Sequence, residues 1–499
     1  MEFQASFCFL FFTFTAIFTL FSLSLFVLRL KPCCNCDTCT AFLTRSWSPE
    51  FVNLSDWYTH LLRKSPTATI HLHVLNNIIT ANPENVEYMI KTNFDNYPKG
   101  KAFSAILGDL LGRGIFNVDG NCWRFQRKMA SLELGSLSIR SHALSVVVEE
   151  IESRLIPFFS SVGDDNKNGG VLDLQDVFRR FSFDTICKFS FGLDPGSLKP
   201  SLPVSELESA FDLSSKLCAE RGMAPAPIVW KIKRFFNLGS EKKLKESIKI
   251  VKRMADQVIK KRRETGSSSS TNNNDLLSRF MGSISDDDYL RDIVISFLLA
   301  GRDTVASALT SFFLLLSQNP KVVNMIREES DRVIGPTLDT LSTFGDLQHL
   351  HYLRAALHES MRLYPPVQFD SKFAKQDDVL PDGTFVRRGS RVTYHPYAMG
   401  RMERIWGPDS LEFKPERWIV DGMFTPESAY KYPVYQGGVR VCLGKEMSLM
   451  EMQIASLSLI RRFDVRVVND SQTLRFSPGL TANVSGGLPA VVRRRDMPE

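Results

Sequence analysis

Between Tyr435 and Gly444 the chain reads Tyr-Gln-Gly-Gly-Val-Arg-Val-Cys-Leu-Gly, and the helical pattern of residues 445–452 begins at once. No other segment restricts the fold as strongly. A cysteine just ahead of a helix start is met by loop N–H groups and by the positive end of the helix, and both favour thiolate over thiol. Such a thiolate can bind iron. Glycines 437, 438 and 444 allow the close approach and unusual dihedrals that a loop needs to wrap under a flat group. Arg440 is spaced to reach an anionic edge of that group. Taken alone, the segment suits a buried cysteine at a helix start about as well.

Composition restricts the setting of this loop. The 499 residues are 43% hydrophobic and 23% charged, a globular balance that excludes wholesale disorder. Length alone allows about three domains. Nine cysteines are too few for a disulfide scaffold, so a reducing compartment is expected. The net charge of +6 is spread thinly, with no long Lys/Arg block, so no nucleic-acid partner is expected.

Residues 3–28 carry no charge, which suits a single membrane-spanning anchor, since about 20 helical residues match a hydrocarbon core of about 30 Å. Arg29 and Lys31 follow it and only Glu2 precedes it, placing the remainder in the cytosol. The run is too long for a cleaved signal peptide and lacks its positive leader. Residues 29–55 then read as a juxtamembrane linker. Within it Cys33, Cys34, Cys36 and Cys39 suit S-acylation or a plain linker better than a metal site, for no second Cys/His cluster follows.

In the body, residues 69–74 and 78–79 read as two strands, with His71 and His73 on one strand face and no metal expected there. Helical patterns dominate afterwards, over 142–162, 174–191, 240–263, 286–318, 321–334, 350–363 and 445–462. Strand-like segments return at 366–395, with a turn at Pro381-Asp382-Gly383, and at 464–495. Residues 266–274 are low-complexity and read as a surface loop between helices. No internal repeat is visible. The expected fold is mainly α with minor β-sheets, a single large domain over 56–499 behind the anchor.

Further motifs accompany the cysteine. Residues 286–318 open on three aspartates and close on Asn319-Pro320, which suits the ends of one helix of about 50 Å. Its centre, Ala300-Gly301-Arg302-Asp303-Thr304, breaks helix rules: Gly301 costs about 1 kcal/mol against Ala, and a carboxylate and a hydroxyl sit among apolar residues. Glu359 and Arg362, at i and i+3, share a helix face and can pair with Arg417 in Pro415-Glu416-Arg417-Trp418. Trp123 and Arg127, at i and i+4, share another.

In these motifs and their order the chain resembles the cytochrome P-450 family of haem-thiolate monooxygenases, whose cysteine loop reads Phe-x-x-Gly-x-Arg-x-Cys-x-Gly. The resemblance spans residues 56–499. It implies a cytochrome P-450 fold and haem b, with Cys442 as axial ligand of the iron. Thr304 would then hydrogen-bond the bound dioxygen or its water, and Asp303 would belong to a proton relay. The rival for Thr304 is a bond back to the carbonyl four residues earlier. Trp123, Arg127, Arg440 and Lys372 would clamp the haem propionates, while Glu359, Arg362 and Arg417 would form a structural network holding the cysteine loop. Electrons would come from NADPH through a separate membrane-bound flavoprotein reductase, because no flavin or nicotinamide segment follows the haem loop. Arg124, Lys128 and Lys445 could supply its docking surface or simply be solvated. The expected location is the endoplasmic reticulum membrane.

Residues 178–187, 369–374 and 394–403 further resemble plant fatty-acid ω-hydroxylases, and 93–100 with 108–116 fit as well. The likeness is strongest to the branch that oxidises carbon 12 of jasmonoyl-isoleucine to the alcohol and on to the acid. Fatty-acid ω-hydroxylation is the alternative, and either substrate is an apolar carboxylate. A haem-thiolate hydroperoxide isomerase or dehydratase is a more distant alternative, disfavoured by Asp303-Thr304. By the same analogy the pocket draws on 103–116, 211–228, 298–305, 367–369 and 480–481. Two departures stand out. Tyr435 replaces the family's usual Phe and brings a hydroxyl beside the thiolate; the cysteine-rich run replaces a proline-rich hinge.

Overall fold

The structure, a computed structural model, describes residues 13–15, 17–19, 36–163, 170–199, 206–266, 275–335, 344–471 and 473–495. The expected anchor over 3–28 lies almost wholly outside the described residues, as do Cys33, Cys34 and residues 267–274 of the low-complexity loop. Among the described residues, the helix at 287–318 alone is long and apolar enough to cross a membrane, and it is mostly buried within the protein.

Helices predominate. Those that build the site are α1 (Asp37–Thr44), α2 (Leu54–Lys64), α3 (Gly120–Gly135), α4 (Leu174–Phe191), α5 (Glu206–Met223), α6 (Asp287–Gln318), α7 (His351–Leu363) and α8 (Lys445–Arg462). The longer strands are β1 (Thr69–Leu72), β2 (Asn77–Thr80), β3 (Gly170–Asp173), β4 (Asp370–Phe373), β5 (Arg391–Tyr394), β6 (Phe463–Val467) and β7 (Pro489–Arg494). One sheet runs β1-β2-β5-β4, antiparallel except for β2 beside β5, and leaves β4 at its edge. A second runs β6-β7-β3. The turn expected at Pro381-Asp382-Gly383 joins two short strands, with Gly383 at φ +85°.

Two apolar cores result. The larger collects the inward faces of α4, α6, α7 and α8, around Phe178, Phe181, Phe312 and Ile454. The smaller lies between α2 and the four-stranded sheet, around Trp57, Leu62, Ile79 and Tyr394. Part of the segment expected as a linker belongs to it: Cys39 of α1 is fully buried, and Trp47 stacks on Trp57 at 5.8 Å. His73 departs from expectation. The strand ends at Leu72, so His73 starts a turn, and its ring lies 3.8 Å from that of His71.

The caps of α6 form as its sequence predicts. Asp286 accepts from the Tyr289 N–H at 3.1 Å, and Asn319-Pro320 ends the run. Its centre is not regular: Leu299–Asp303 winds as a π-helical turn. Its packing is tight. A Cβ on Gly301 would sit 2.4 Å from Cδ1 of Ile186, so only glycine lets α6 lie this close to α4.

Candidate active site

Cys442 lies on the wall of a cavity of about 1450 Å³ that runs between the two cores. The loop carrying it is fixed by backbone. Its N–H donates to the Tyr435 carbonyl at 2.8 Å, and Gly438 sits at φ +57° where a Cβ would overlap the Ile90 carbonyl. Gly444 needs no special dihedral, and a Cβ there would meet no protein atom within 4 Å. The sulfur opens to the cavity. Burial pushes the thiol pKa up, while the Gly444 N–H, Arg127 and Lys445 oppose that shift. Cys218 also touches the cavity, but it is wholly buried, and burial pushes its thiol up to about 12.

Tyr435 does not use its hydroxyl on the cysteine. It accepts from Ser448 Oγ at 3.4 Å and donates to the Met361 sulfur at 3.6 Å. The extra hydroxyl is therefore directed into the helices behind the loop.

Trp123, Arg127, Lys372 and Arg440 all line the cavity and cluster around Arg440. The Arg440 guanidinium lies over the Trp123 ring at 4.6 Å and pairs with Asp119 at 2.6 Å. Arg127 donates to the Val441 carbonyl at 2.5 Å. Lys372 pairs with Asp370 at 2.6 Å, and Asp370 also receives Lys99 at 2.5 Å, a partner the sequence reading missed. Burial raises the Asp370 carboxyl, but the two ammoniums outweigh it and hold it well below the usual range. One carboxylate facing two ammoniums leaves a positive surplus. Burial, helped by Lys99 and Arg440, lowers Lys372 to about 7 against the pull of Asp370.

Residues Glu359, Arg362 and Arg417 do meet. Arg362 is wholly buried and donates to both Glu359 oxygens at 2.7 and 2.8 Å, and Arg417 Nε reaches Glu359 at 3.3 Å. Trp418 and the Lys414 N–H complete the carboxylate at 2.9 and 3.0 Å. Arg362 also binds the carbonyls of Gly400, Ser410 and Glu412. The bonds of this network thus fasten residues 400–418. The cysteine loop is joined to α7 separately, by the Tyr435 hydroxyl on the Met361 sulfur, and the residues just before it by the Tyr432 hydroxyl on the His358 carbonyl at 3.1 Å.

Asp303 and Thr304 part company. Thr304 lines the cavity and donates back to the Ala300 carbonyl at 2.5 Å, the bond that its rival reading described. Asp303 is not on the cavity wall. It is buried against Arg302 at 3.1 Å, whose Nη1 also holds Asp212 at 2.7 Å. Burial raises the Asp303 carboxyl and Arg302 opposes it.

All five expected pocket segments reach the wall, through Phe103, Met223, Val305, Phe369 and Leu480 among others. Part of the stretch from Phe42 to Tyr58 also lines it, which nothing in the sequence signalled, as does Arg391.

The residues fit a flat dianionic cofactor. Arg440 Nε is buried with no partner in the chain, Gly444 leaves clear space beside the sulfur, and the cations outnumber their carboxylates. A mainly helical domain with an exposed cysteine on the cavity wall beside a cationic cluster fits a haem-binding oxidoreductase. The cytochrome P450 family model matches residues 52–486, and the chain belongs to that family, whose members are monooxygenases that hold haem by a cysteine thiolate and draw electrons from a redox partner. The chain is 60% identical to cytochrome P450 94C1 of Arabidopsis thaliana over 98% of its own length and 99% of that protein's. It is 45% identical to cytochrome P450 94B1 of the same plant, over 89% and 88%. Its identity to cytochrome P450 94A1 of Vicia sativa is 44%, over 88% and 86%.

Proposed function

We propose that this protein oxidises the terminal carbon of an apolar carboxylate, jasmonoyl-isoleucine at carbon 12, first to the alcohol and then to the acid. The observation that carries the reading is the cavity. It is large enough for a hormone conjugate beside the cofactor, and walls rich in Phe, Ile, Leu and Val run from Cys442 to the outermost segments, at 42–58 and 475–482. The sequence blocks at 178–187, 369–374 and 394–403 support the same substrate type.

In this reading Cys442 ligates the iron, and Trp123, Arg127, Lys372 and Arg440 hold the propionates. Bound haem supplies the oxygen-activating redox chemistry. The chain's own residues do the rest. Apolar walls exclude water and orient the chain terminus, and Thr304 presents its hydroxyl from the widened turn of α6. Asp303, held by Arg302 off the cavity wall, has no direct contact with the cavity through which to deliver a proton. Residues 3–28 anchor the protein in the endoplasmic reticulum membrane, and a membrane-bound flavoprotein reductase passes on the electrons of NADPH.

The test has two arms. Reduced, carbon-monoxide-treated protein should show the absorption band of thiolate-ligated haem, and Cys442→Ala should lose that band while haem content is scored separately. Purified enzyme with reductase should then receive jasmonoyl-isoleucine and dodecanoic acid in parallel. Turnover of dodecanoic acid alone would make fatty acids the substrate instead.

A further inference from the structure

The cavity holds a second cationic site, away from the propionate clamp. In the antiparallel register of β4 and β5, Phe373 faces Arg391, Lys372 faces Val392, Ser371 faces Thr393 and Asp370 faces Tyr394. Facing residues share a side of the sheet, and successive residues alternate. Lys372, Asp370 and Tyr394 therefore project to one side, where their hydrogen bonds join them. Arg391 projects to the other, with Ser371 and Thr393. β4 is an edge strand, so the cavity reaches both sides.

Arg391 is held but not neutralised. Its Nε donates to Ser371 Oγ at 2.8 Å and its Nη1 to the Gly222 carbonyl at 2.7 Å. Among the described residues no carboxylate lies within ion-pairing distance of it, and Nη2 has no partner. A half-buried guanidinium that faces the cavity with no counter-ion is poised to take an anion. Two further donors stand beside it on the cavity wall. Tyr58 is 3% exposed, and its hydroxyl has no hydrogen-bond partner. It is an electrostatic neighbour of Arg391, whose charge opposes the rise that burial imposes on the phenol. Gln368 is tied to the helix that carries Tyr58: Ser55 donates to its Oε1 at 2.7 Å, and its Nε2 is buried and unpaired. Ser55 and Tyr58 lie at i and i+3 on α2, so one helix face presents both.

We infer that Arg391, Tyr58 and Gln368 form the subsite that binds the carboxylate of the substrate. A carboxylate has two oxygens with about four acceptor positions, and this wall offers one free guanidinium N–H edge, one O–H and one amide NH2 group. A neutral carbonyl would satisfy the donors but leave the charge. Arg45 and Arg475 also touch the cavity, but both are exposed, so water already solvates them. The inference rests on the reading of the substrate as an apolar acid and adds the residues that recognise it.

The test is binding of dodecanoic acid, jasmonoyl-isoleucine and their methyl esters to the full haem-loaded protein, by calorimetry. Wild type should prefer each acid to its ester. Arg391→Gln should weaken acid binding by about tenfold or more and leave the ester unchanged, as expected for the loss of one charge-assisted contact. Tyr58→Phe, which removes only a hydroxyl and keeps the ring, should narrow the acid-to-ester ratio in the same direction by a smaller factor. An unchanged ratio in both variants overturns the assignment, as does a collapse of the ratio in Arg475→Gln instead. Wild type that binds neither acid, while still binding haem, would count against the substrate reading and not against this one alone.

Discussion

Glu359 and Arg362 sit one helical turn apart, both wholly buried, and meet through two parallel hydrogen bonds of 2.7 and 2.8 Å. Nearly every polar position on the pair is filled, by Arg417, Trp418, the Lys414 N–H and three carbonyls. Removing one partner strands the other charge. Glu359→Ala should therefore destabilise the protein by roughly 3–5 kcal/mol, read as a lower urea midpoint, with Glu359→Gln intermediate. Equal midpoints for wild type and Glu359→Ala would contradict the network's part in stability.

Gly301 permits a prediction in which two effects have opposite signs. Helix propensity favours Ala over Gly by about 1 kcal/mol. The overlap with Ile186, whose Cγ1 and Cδ1 would both lie within 2.5 Å of the new Cβ, costs more, about 1–3 kcal/mol net. Gly301→Ala should lower thermal stability in the wild type. In an Ile186→Ala background the same change should be neutral or stabilising, and a double-mutant cycle measures the difference.

Glu451 should make stability depend on pH. It lines the cavity on α8, its Oε1 has no partner, and burial raises its pKa from 4.5 to about 8. The folded protein thus binds this proton more tightly than the unfolded chain does. Its contribution is complete below the unfolded pKa and is lost as pH rises through the folded value. Glu451→Gln should be more stable than wild type at pH 8, by roughly 2–4 kcal/mol, and indistinguishable from it near pH 4. Parallel stability–pH curves would show that Glu451 does not titrate in this way.

Thr304 offers a hydroxyl at the cavity wall that is now spent on Ala300. If that group helps deliver protons during turnover, Thr304→Val should keep NADPH consumption but yield much less oxidised product, while Thr304→Ser should restore the ratio. The readout is product formed per NADPH consumed. A ratio unchanged in the valine variant would leave the hydroxyl a local role only.

What could be read in advance follows the range of the forces involved. Caps are local, so Asp286 and Pro320 marked the ends of α6 directly. The cysteine loop was legible because its glycines and its helix start are neighbours in sequence. The tight packing at Gly301 was not, since Ile186, which demands it, lies on another helix. Periodicity also passed over α5, whose buried positions are shared among the helices at 239–266 and 100–111 and the cavity. Lys99 and Asp370 lie 271 residues apart, and Tyr58 and Arg391 farther still, so only the folded sheet brings them together. The burial of Asp303 behind Arg302 is likewise tertiary, and the family resemblance had placed it with Thr304.

The edge position of β4 makes the length of one short stretch matter more than its composition. Between Pro366 and Asp370 the chain sets which residues of β4 turn towards each side of the sheet. Loss of a single amino acid there would rotate the strand by half a repeat, carrying Lys372 to the side of Arg391 and Ser371 to the side of Arg440. Both anion sites would then fail together, though every side chain that forms them remained in the protein. Across relatives this stretch should tolerate exchanges of residue type but hold its number of residues constant, a form of inheritance recorded in spacing and not in letters.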